Sequence, residues 1–454
     1  MGAYEFVVKK AMPLAEVIKG WPVSRYIADL EESQWWSPQQ LKEMQNEKLR
    51  KMVKHAYENV QHYREVFDEC GLTPDDIKSM DDLPKLPILT KDTVRAKFPD
   101  GITSRIHDRR SLIVGKSSGS TGEPLRYFLT GPEKAFKWAC LYRMWRWAGY
   151  DFGRRYVNFT VLAQLAFRGV PGLEWLERKI TRALILQAKE MNAKNVGDFV
   201  RRIADFHPVV IKGHPSTCYY MARYMAEHDL RFSGVHGTIC NGETLVPYVR
   251  ELISDRFGCG VWDTYGSEGI ETAAQCSPTS YHHVTAEAVI TEVCDERGEP
   301  VPYGTEGRLV VTALDKWAMP FIRYDTQDMA SMTDQTCSCG RGLPLLSSVK
   351  GRMVDMGLSP SGKLLSVYAF TPLFAITPGI DAWQVVQESA GELVVKIQPA
   401  TSFDKSVVQS IEKEIKDYVG DDVEVTIQLV DEIPLTSGGK RRFFISKCPY
   451  GSGQ

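Results

Sequence analysis

No stretch of this sequence reaches the roughly 18 consecutive apolar residues that a membrane-spanning helix needs, so no span is expected. Met1–Gly20 scatters Glu5, Lys9, Lys10, Glu16 and Lys19 and holds no apolar core of the kind a secretory leader carries. No long run of one charge appears. The 55 Lys and Arg nearly balance 57 Asp and Glu, for a net charge of −2. That argues against a basic footprint for nucleic acid. The ten cysteines show no disulfide-scaffold spacing, and a reduced, cytoplasmic protein is expected. There is no internal repeat and no low-complexity segment. No glycine-rich loop closes on Gly-Lys-Ser or Gly-Lys-Thr, so a P-loop of the kinase or GTPase kind is absent.

What is present is a globular composition, 43% hydrophobic and 25% charged, in a chain of 454 residues. That length exceeds a single core, so two or more domains are expected. The first hundred residues read mainly as helix. "SPQQLKEMQNEKLRKMVKHAYENV" places Ser37 at a cap, and Leu41, Met44, Leu49, Met52, Val53 and Ala56 recur near helical spacing. From Ser111, strand-like runs ("SLIVG", "YVNFTVL", "PVVIKG", "GTICNG", "GVWDTYG") alternate with helical patterns. Such alternation implies a mostly parallel sheet with helices on both faces, and ligands at the strand ends. After Tyr281, "AEAVITEV" and "EGRLVVTAL" read as half-buried antiparallel strands. The last hundred residues read strand, strand, helix, strand. The expected fold is α/β. A large N-terminal domain (1–351) has mixed, mostly parallel sheets flanked by helices, with a helical opening at 1–110 and nucleotide-binding portions at 111–351. A small, mobile α+β lid covers 352–454. The closing "GSGQ" reads as a frayed tail.

Five segments carry chemistry when taken together. "KSSGSTGEP" (Lys116–Pro124) leaves an apolar strand. It reads either as a surface linker or as a cradle whose hydroxyls and backbone N–H groups surround phosphate. "NGETL" (Asn241–Leu245) and "DTYGSE" (Asp263–Glu268) each follow a strand-like run. "RYDTQD" (Arg323–Asp328) follows a strand pair, and "PLTSGGK" (Pro434–Lys440) is a glycine-rich loop ending in lysine. Each alone has an ordinary reading: a turn, a core tyrosine, a solvated charge. In this order they resemble the adenylate-forming enzymes: acyl–CoA synthetases, luciferases and peptide-synthetase adenylation domains. Within that superfamily the chain resembles the phenylacetate–CoA ligase family, including its branch associated with capsular polysaccharide. The helical opening, notably "CGLTPDDIKSMDDLPKLPILTKD", matches that family as well.

The resemblance implies roles. Ser117, Ser118, Gly119, Ser120, Thr121 and Gly122 would wrap the ATP phosphates. Gly242, Glu243 and Thr244 would border adenine. Asp263, Tyr265, Gly266 and Ser267 would complete the nucleotide site, with Tyr265 flanking the base. Glu268 would hold Mg²⁺. Asp328 would accept both ribose hydroxyls. Arg352 would reach the nucleotide from the hinge, and Lys440 would be the catalytic lysine of the lid. Two departures stand out. Only Ser267 separates Gly266 from Glu268, which makes Glu271 a fallback for the metal. The usual hinge aspartate is Val354, with Asp355 beside it. In some family members a cysteine and a histidine after the tyrosine motif join a Cys-x-Cys pair to hold zinc. The matching residues are Cys276, His283, Cys337 and Cys339, with His282 as a competing ligand. Three cysteines and a histidine fill a tetrahedral structural site. Cys70, Cys140, Cys218, Cys240, Cys259, Cys294 and Cys448 read as packing residues.

The resemblance implies two steps: ATP and a carboxylic acid give an acyl-adenylate, then an acceptor takes the acyl group. Coenzyme A is the family's usual acceptor, and an amine or sugar is the alternative. "GHPSTCYYMARYM" and "YVNFTVLAQLAF" are candidate walls of the acid pocket, and their composition points to an aryl or apolar acid. A homodimer is left open. The rival of another class is a non-catalytic, zinc-stapled nucleotide-binding scaffold. A lysine at "PLTSGGK" argues against it, and ATP–pyrophosphate exchange with a panel of acids separates the two.

Overall fold

The computed structural model describes residues 21–116, 125–160, 182–191, 195–267, 269–352, 356–360, 364–366, 370, 373–374, 377–434 and 442–448. The opening is helical: α1 (Val23–Ser33), α2 (Pro38–Asn59), α3 (Gln61–Cys70) and the short α4 (Lys91–Lys97). Ser37 starts α2 as expected. Its hydroxyl accepts the Gln40 N–H, while the Gln40 side chain accepts the Ser37 N–H. This reciprocal cap satisfies two donors that would otherwise be orphaned. The Pro- and Asp-rich stretch that follows forms two short 3₁₀ turns, Pro74–Asp76 and Met80–Lys85.

A two-stranded ribbon, β1 (Ile113–Lys116) and β2 (Arg126–Leu129), precedes the long helix α5 (Gly131–Trp147). "SLIVG" thus forms a hairpin rather than joining the main sheet. The chain then alternates through β3 (Tyr156–Thr160), β4 (Ala183–Gln187), α6 (Val196–Phe206), β5 (Val210–Gly213), α7 (Pro215–Glu227), β6 (Gly237–Asn241), α8 (Pro247–Phe257) and β7 (Gly260–Ser267). Antiparallel strands follow: β8 (Ile270–Gln275), β9 (His282–Val284), β10 (Val289–Cys294), β11 (Gly307–Ala313), β12 (Tyr324–Thr333) and β13 (Leu345–Arg352).

These make one mixed 11-stranded sheet in the order β10-β11-β12-β13-β9-β8-β7-β6-β5-β3-β4. From β7 to β4 every pairing is parallel, and from β7 to β10 every pairing is antiparallel. The two faces of the parallel half are filled differently. Ile211, Cys240 and Val261 pack with α6, α7 and α8, while Val210, Ile239 and Ala274 pack under Met144 and Trp145 of α5. The helical opening shares its core with the antiparallel half, through Leu49, Met52, Phe67, Val311 and Tyr324.

After the short pair β14 (Met356–Leu358) and β15 (Leu364–Ser366) comes a separate four-stranded sheet. It comprises β16 (Ile380–Ser389), β17 (Glu392–Pro399), β18 (Glu424–Leu429) and β19 (Phe444–Ser446), with α9 (Val407–Val419) packed on it. Its core, including Trp383, Val395, Ile411, Ile415 and Phe444, draws among the described residues only on those from Leu365 onward. Among the described residues no helix is long and apolar enough to cross a membrane.

Candidate nucleotide site and metal cluster

The loops leaving the C-terminal ends of the parallel strands lie side by side. Gly242 turns the chain out of β6 at φ +79°, a conformation that costs glycine little. Glu243 and Thr244 follow, half-buried. His214, at the cap of α7, approaches the Asn241 carbonyl with its Nδ1 at 2.8 Å and ties the ends of β5 and β6 together. At the end of β7, Gly266 is hemmed in by backbone: a Cβ there would lie 2.6 Å from the Ile270 carbonyl oxygen. Ser267 keeps a buried hydroxyl with no hydrogen-bond partner among the described residues.

Tyr265 and Asp328, far apart in sequence, meet. The Tyr265 hydroxyl donates to Asp328 Oδ2 at 2.5 Å. Asp328 is 8% exposed, and two local irregularities place it. Gln327 sits at φ +66°, and the β12–β13 register shifts between Asp328 and Met329. Non-glycine residues at positive φ cost stability and cluster at functional sites. The main chain of Arg352 is the register partner of Asp328. Three of the five motifs therefore converge on one patch. Asp263 faces elsewhere: its Oδ2 lies 3.1 Å from His282 Nε2, and its backbone N–H donates to Gln275. Ser117, Ser118, Gly119, Ser120, Thr121, Gly122, Glu268, Val354, Asp355 and Lys440 lie outside the described residues. Glu271, the fallback metal ligand, lies 3.5 Å from Lys137 Nζ on α5.

A second cluster lies at the β8–β9 edge. Cys276, His283, Cys337 and Cys339 place their ligand atoms within 4.8 Å of one another. Cys276 Sγ is 3.6 Å from Cys337 Sγ, and Cys339 Sγ is 3.5 Å from His283 Nε2. Zinc–sulfur bonds of about 2.3 Å put tetrahedral sulfurs about 3.8 Å apart, so these spacings suit one zinc ion. Alternation along β9 separates the two histidines. His282 turns to Asp263, and His283 turns to the cysteines. Gly340, at φ +81°, folds the Cys-x-Cys turn back so that its N–H reaches the Cys337 carbonyl. Burial, with Arg341 and Arg143 nearby, pushes the His283 imidazole down to about 4, so it is neutral at neutral pH. Burial pushes the Cys276 thiol up to about 12. At Cys339 burial is outweighed by hydrogen bonds from Arg341 and the neighbouring thiols, and its pKa falls. Trp147 stacks edge-on against His283, and Arg341 sits between Trp35 and Trp147. Of the cysteines expected in packing, Cys140, Cys218, Cys240 and Cys294 are buried. Cys70 is exposed instead, because it ends α3 on the solvent side.

Curated relatives decide the family. Over 341 residues the chain is 32% identical to a phenylacetate–coenzyme A ligase of Aromatoleum evansii, covering 72% of this chain and 74% of that one. The chain belongs to the phenylacetate–CoA ligase family. A phenylacetate–coenzyme A ligase of Thermus thermophilus is 26% identical over 433 residues, or 89% of this chain and 96% of that one. Residues 358–447 match the family model described as the CapK C-terminal domain. The fold resembles a crystal structure of 2-hydroxyisobutyryl-CoA ligase in the postadenylation state. The TM-score is 0.74 at 21% identity, with 91% of each chain covered. Within this phenylacetate–CoA ligase framework, sequence reasoning missed Lys137 and Lys212. Lys212 makes no hydrogen bond or ion pair among the described residues, and its Nζ lies 5.2 Å from the Trp145 ring centre. Burial lowers its pKa, opposed by Glu271 and reinforced by Lys137. Its signal was visible: a lysine inside the apolar run "PVVIKG".

Proposed function

We propose that this protein is an AMP-forming ligase that adenylates an organic acid and passes the acyl group to coenzyme A. The observation that carries the reading is the Tyr265–Asp328 contact, at 2.5 Å, in a member of the phenylacetate–CoA ligase family. Asp328 offers two acceptor oxygens to the ribose hydroxyls, and Tyr265, anchored to it, flanks the base. Gly242, Glu243 and Thr244 border adenine. The hydroxyls and amides of Ser117–Gly122 hold the departing phosphates, and Arg352 reaches the nucleotide. Glu268 would hold Mg²⁺, which supplies charge neutralisation on the phosphates; the Lys137 contact leaves Glu271 the poorer candidate.

In the first step a carboxylate oxygen attacks the α-phosphorus. The bond to the bridging oxygen breaks and pyrophosphate leaves. Lys440 stabilises the charge developing around that phosphorus. The domain from Arg352 onward then swings about 352–355 and admits the acceptor, a closure of the kind that commonly gates turnover. The thiol sulfur attacks the acyl carbonyl, AMP leaves, and the thiol proton passes to solvent. A second acceptor class, an amine or sugar, follows from the resemblance to the family's capsular-polysaccharide branch; residues 358–447 match the CapK C-terminal domain. Cys276, His283, Cys337 and Cys339 would hold a structural zinc ion, because four ligands leave no position open for water.

The test is ATP–pyrophosphate exchange across a panel of acids, then transfer to coenzyme A or to amines. Lys440→Ala should cut exchange by about 10²–10³. Transfer from a prepared acyl-adenylate should survive in that variant. Tight ATP binding without exchange for any acid would favour a scaffold.

A further inference from the structure

Lys212 is the penultimate residue of β5, immediately before the "GHPS" turn that opens α7. Its register partners are Asn158 on β3 and Ile239 on β6, so it stands mid-sheet at the edge where the ligand loops leave. Alternation fixes its direction. Val210 and Ile239, on the same face, pack beneath Trp145, while Ile211 packs on the other face. Lys212 therefore points between the sheet and α5. The half-buried rings of Trp138 and Tyr142 pack against the cluster on that side. At the same edge, Lys137 and Glu271 approach to 3.5 Å. Lys137 and Lys212 thus both lie within electrostatic reach of Glu271, with Asp315 also acting on Lys137, while Lys212 makes no hydrogen bond or ion pair among the described residues and rests its Nζ 5.2 Å from the Trp145 ring centre. A half-buried ammonium group with no direct partner is costly unless something supplies the opposite sign. The neighbouring rings are aromatic, and the charged groups at this strand edge are mostly cationic.

We propose that the acid adenylated by this protein carries a second anionic group, remote from the reacting carboxylate, which Lys212 binds. Glu271 makes its direct contact with Lys137, which leaves Lys212 as the ammonium group without a hydrogen bond or ion pair among the described residues. This rests on the adenylation reading, and it replaces the apolar acid expected from composition with an acid that is apolar in the middle and charged at both ends.

The experiment uses matched probes in ATP–pyrophosphate exchange with the full chain: hexanoate against adipate, and phenylacetate against 4-carboxyphenylacetate and 4-sulfophenylacetate. The doubly anionic member should be favoured by at least about tenfold in kcat/KM, the scale of one charge-assisted bond. The carboxylate and sulfonate arms separate a requirement for a carboxylate from one for any oxyanion. Lys212→Met should reverse the preference by raising kcat/KM for the neutral member and lowering it for the charged one, and Lys212→Arg should restore it in part. Because Lys212 makes no hydrogen bond or ion pair among the described residues, Lys212→Met should melt close to the parent. A parent that prefers the neutral acids, an unchanged ratio in Lys212→Met, or a marked fall in its melting temperature would each overturn the proposal while leaving adenylation intact. Exchange with no acid at all would instead overturn the adenylation reading and remove the premise.

Discussion

Helix α5 carries two inward cations six residues apart, Arg143 fully buried and Lys137 half-buried, and the structure treats them differently. Arg143 is fully buried. Its guanidinium grips both oxygens of Glu287, at 2.6 and 3.1 Å, and also donates to the Leu30 carbonyl. Ser33 completes the Glu287 carboxylate. Burial works against this pair, yet each partner holds the other charged: Arg143 is pushed up and Glu287 down. Lys137 meets Glu271 at one contact of 3.5 Å, with a quarter of its side chain exposed and Lys212 close by. A planar fork that holds a carboxylate bidentately leaves that charge matched, even with the Arg143 Nε unpartnered. A loosely held carboxylate shared by two lysines leaves a charge over. The first arrangement is scaffold, and the second is where a substrate can act.

The scaffold end of α5 also supports the metal cluster, because Trp147 lies against both Arg143 and His283. The largest effect should therefore come from the metal. Purified protein should contain about one zinc per chain, and Cys337→Ser should lose it with a large drop in melting temperature, since metal binding at a structural site is folding energy. Full zinc content in that variant would sink the assignment. Next in size is Arg143→Met, which strands Glu287 in the interior. Breaking a buried pair from one side costs about 3–5 kcal/mol. Denaturant titration should show a loss of that order, and an unchanged midpoint would erase the contrast between the two cations.

Much of the architecture was legible because it rests on periodicity. Capping at Ser37 and strand–helix alternation from β3 to β7 appear where the pattern put them, whereas the antiparallel half begins before Tyr281, with β8 turning back against β7 at Ile270. The hairpin role of "SLIVG" was not legible, because four apolar residues cannot say which sheet they join. The choice between His282 and His283 was equally closed to sequence. Only the pleat of β9, fixed by its pairing with β8 and β13, sends one to Asp263 and the other to the cysteines. Asp263 entered the nucleotide list by its place in "DTYGSE", yet its carboxylate faces that histidine. The run "PVVIKG" reads as a strand, and periodicity alone does not say which elements flank its lysine. That Lys212 shares one carboxylate with Lys137 emerges only when β5, β8 and α5 are brought together.

A third prediction moves from the scaffold to the nucleotide patch. Asp328→Ala removes the carboxylate that anchors Tyr265 and would accept the ribose hydroxyls. Hydrogen bonds to charged groups contribute roughly 1.5–3 kcal/mol each. KM for ATP should therefore rise by more than about tenfold, with the melting temperature little changed. An unchanged KM would reduce "RYDTQD" to a strained turn between strands.

The smallest effect is the sharpest test of the comparison. Lys137→Met is, on paper, the same operation as Arg143→Met: a cation on α5 is replaced by a side chain of similar length, and a glutamate loses its partner. The two should differ several-fold in cost. The Lys137 contact is longer and partly exposed, so it belongs near the weak end of ion-pair energies, about 0–1 kcal/mol. Glu271 also keeps a second lysine within electrostatic reach, so removing Lys137 transfers the carboxylate's attraction to Lys212 instead of stranding it. Glu271→Gln is the complementary variant. It leaves two lysines facing each other and should destabilise more than Lys137→Met does. Chemical denaturation of the three variants decides the matter. If Lys137→Met costs as much as Arg143→Met, the pair is scaffold, Lys212 has no call on Glu271, and the distinction between the two ends of α5 fails. If Glu271→Gln is the milder of its two, the lysines do not share that carboxylate, and the excess positive charge assigned to the pocket is not there.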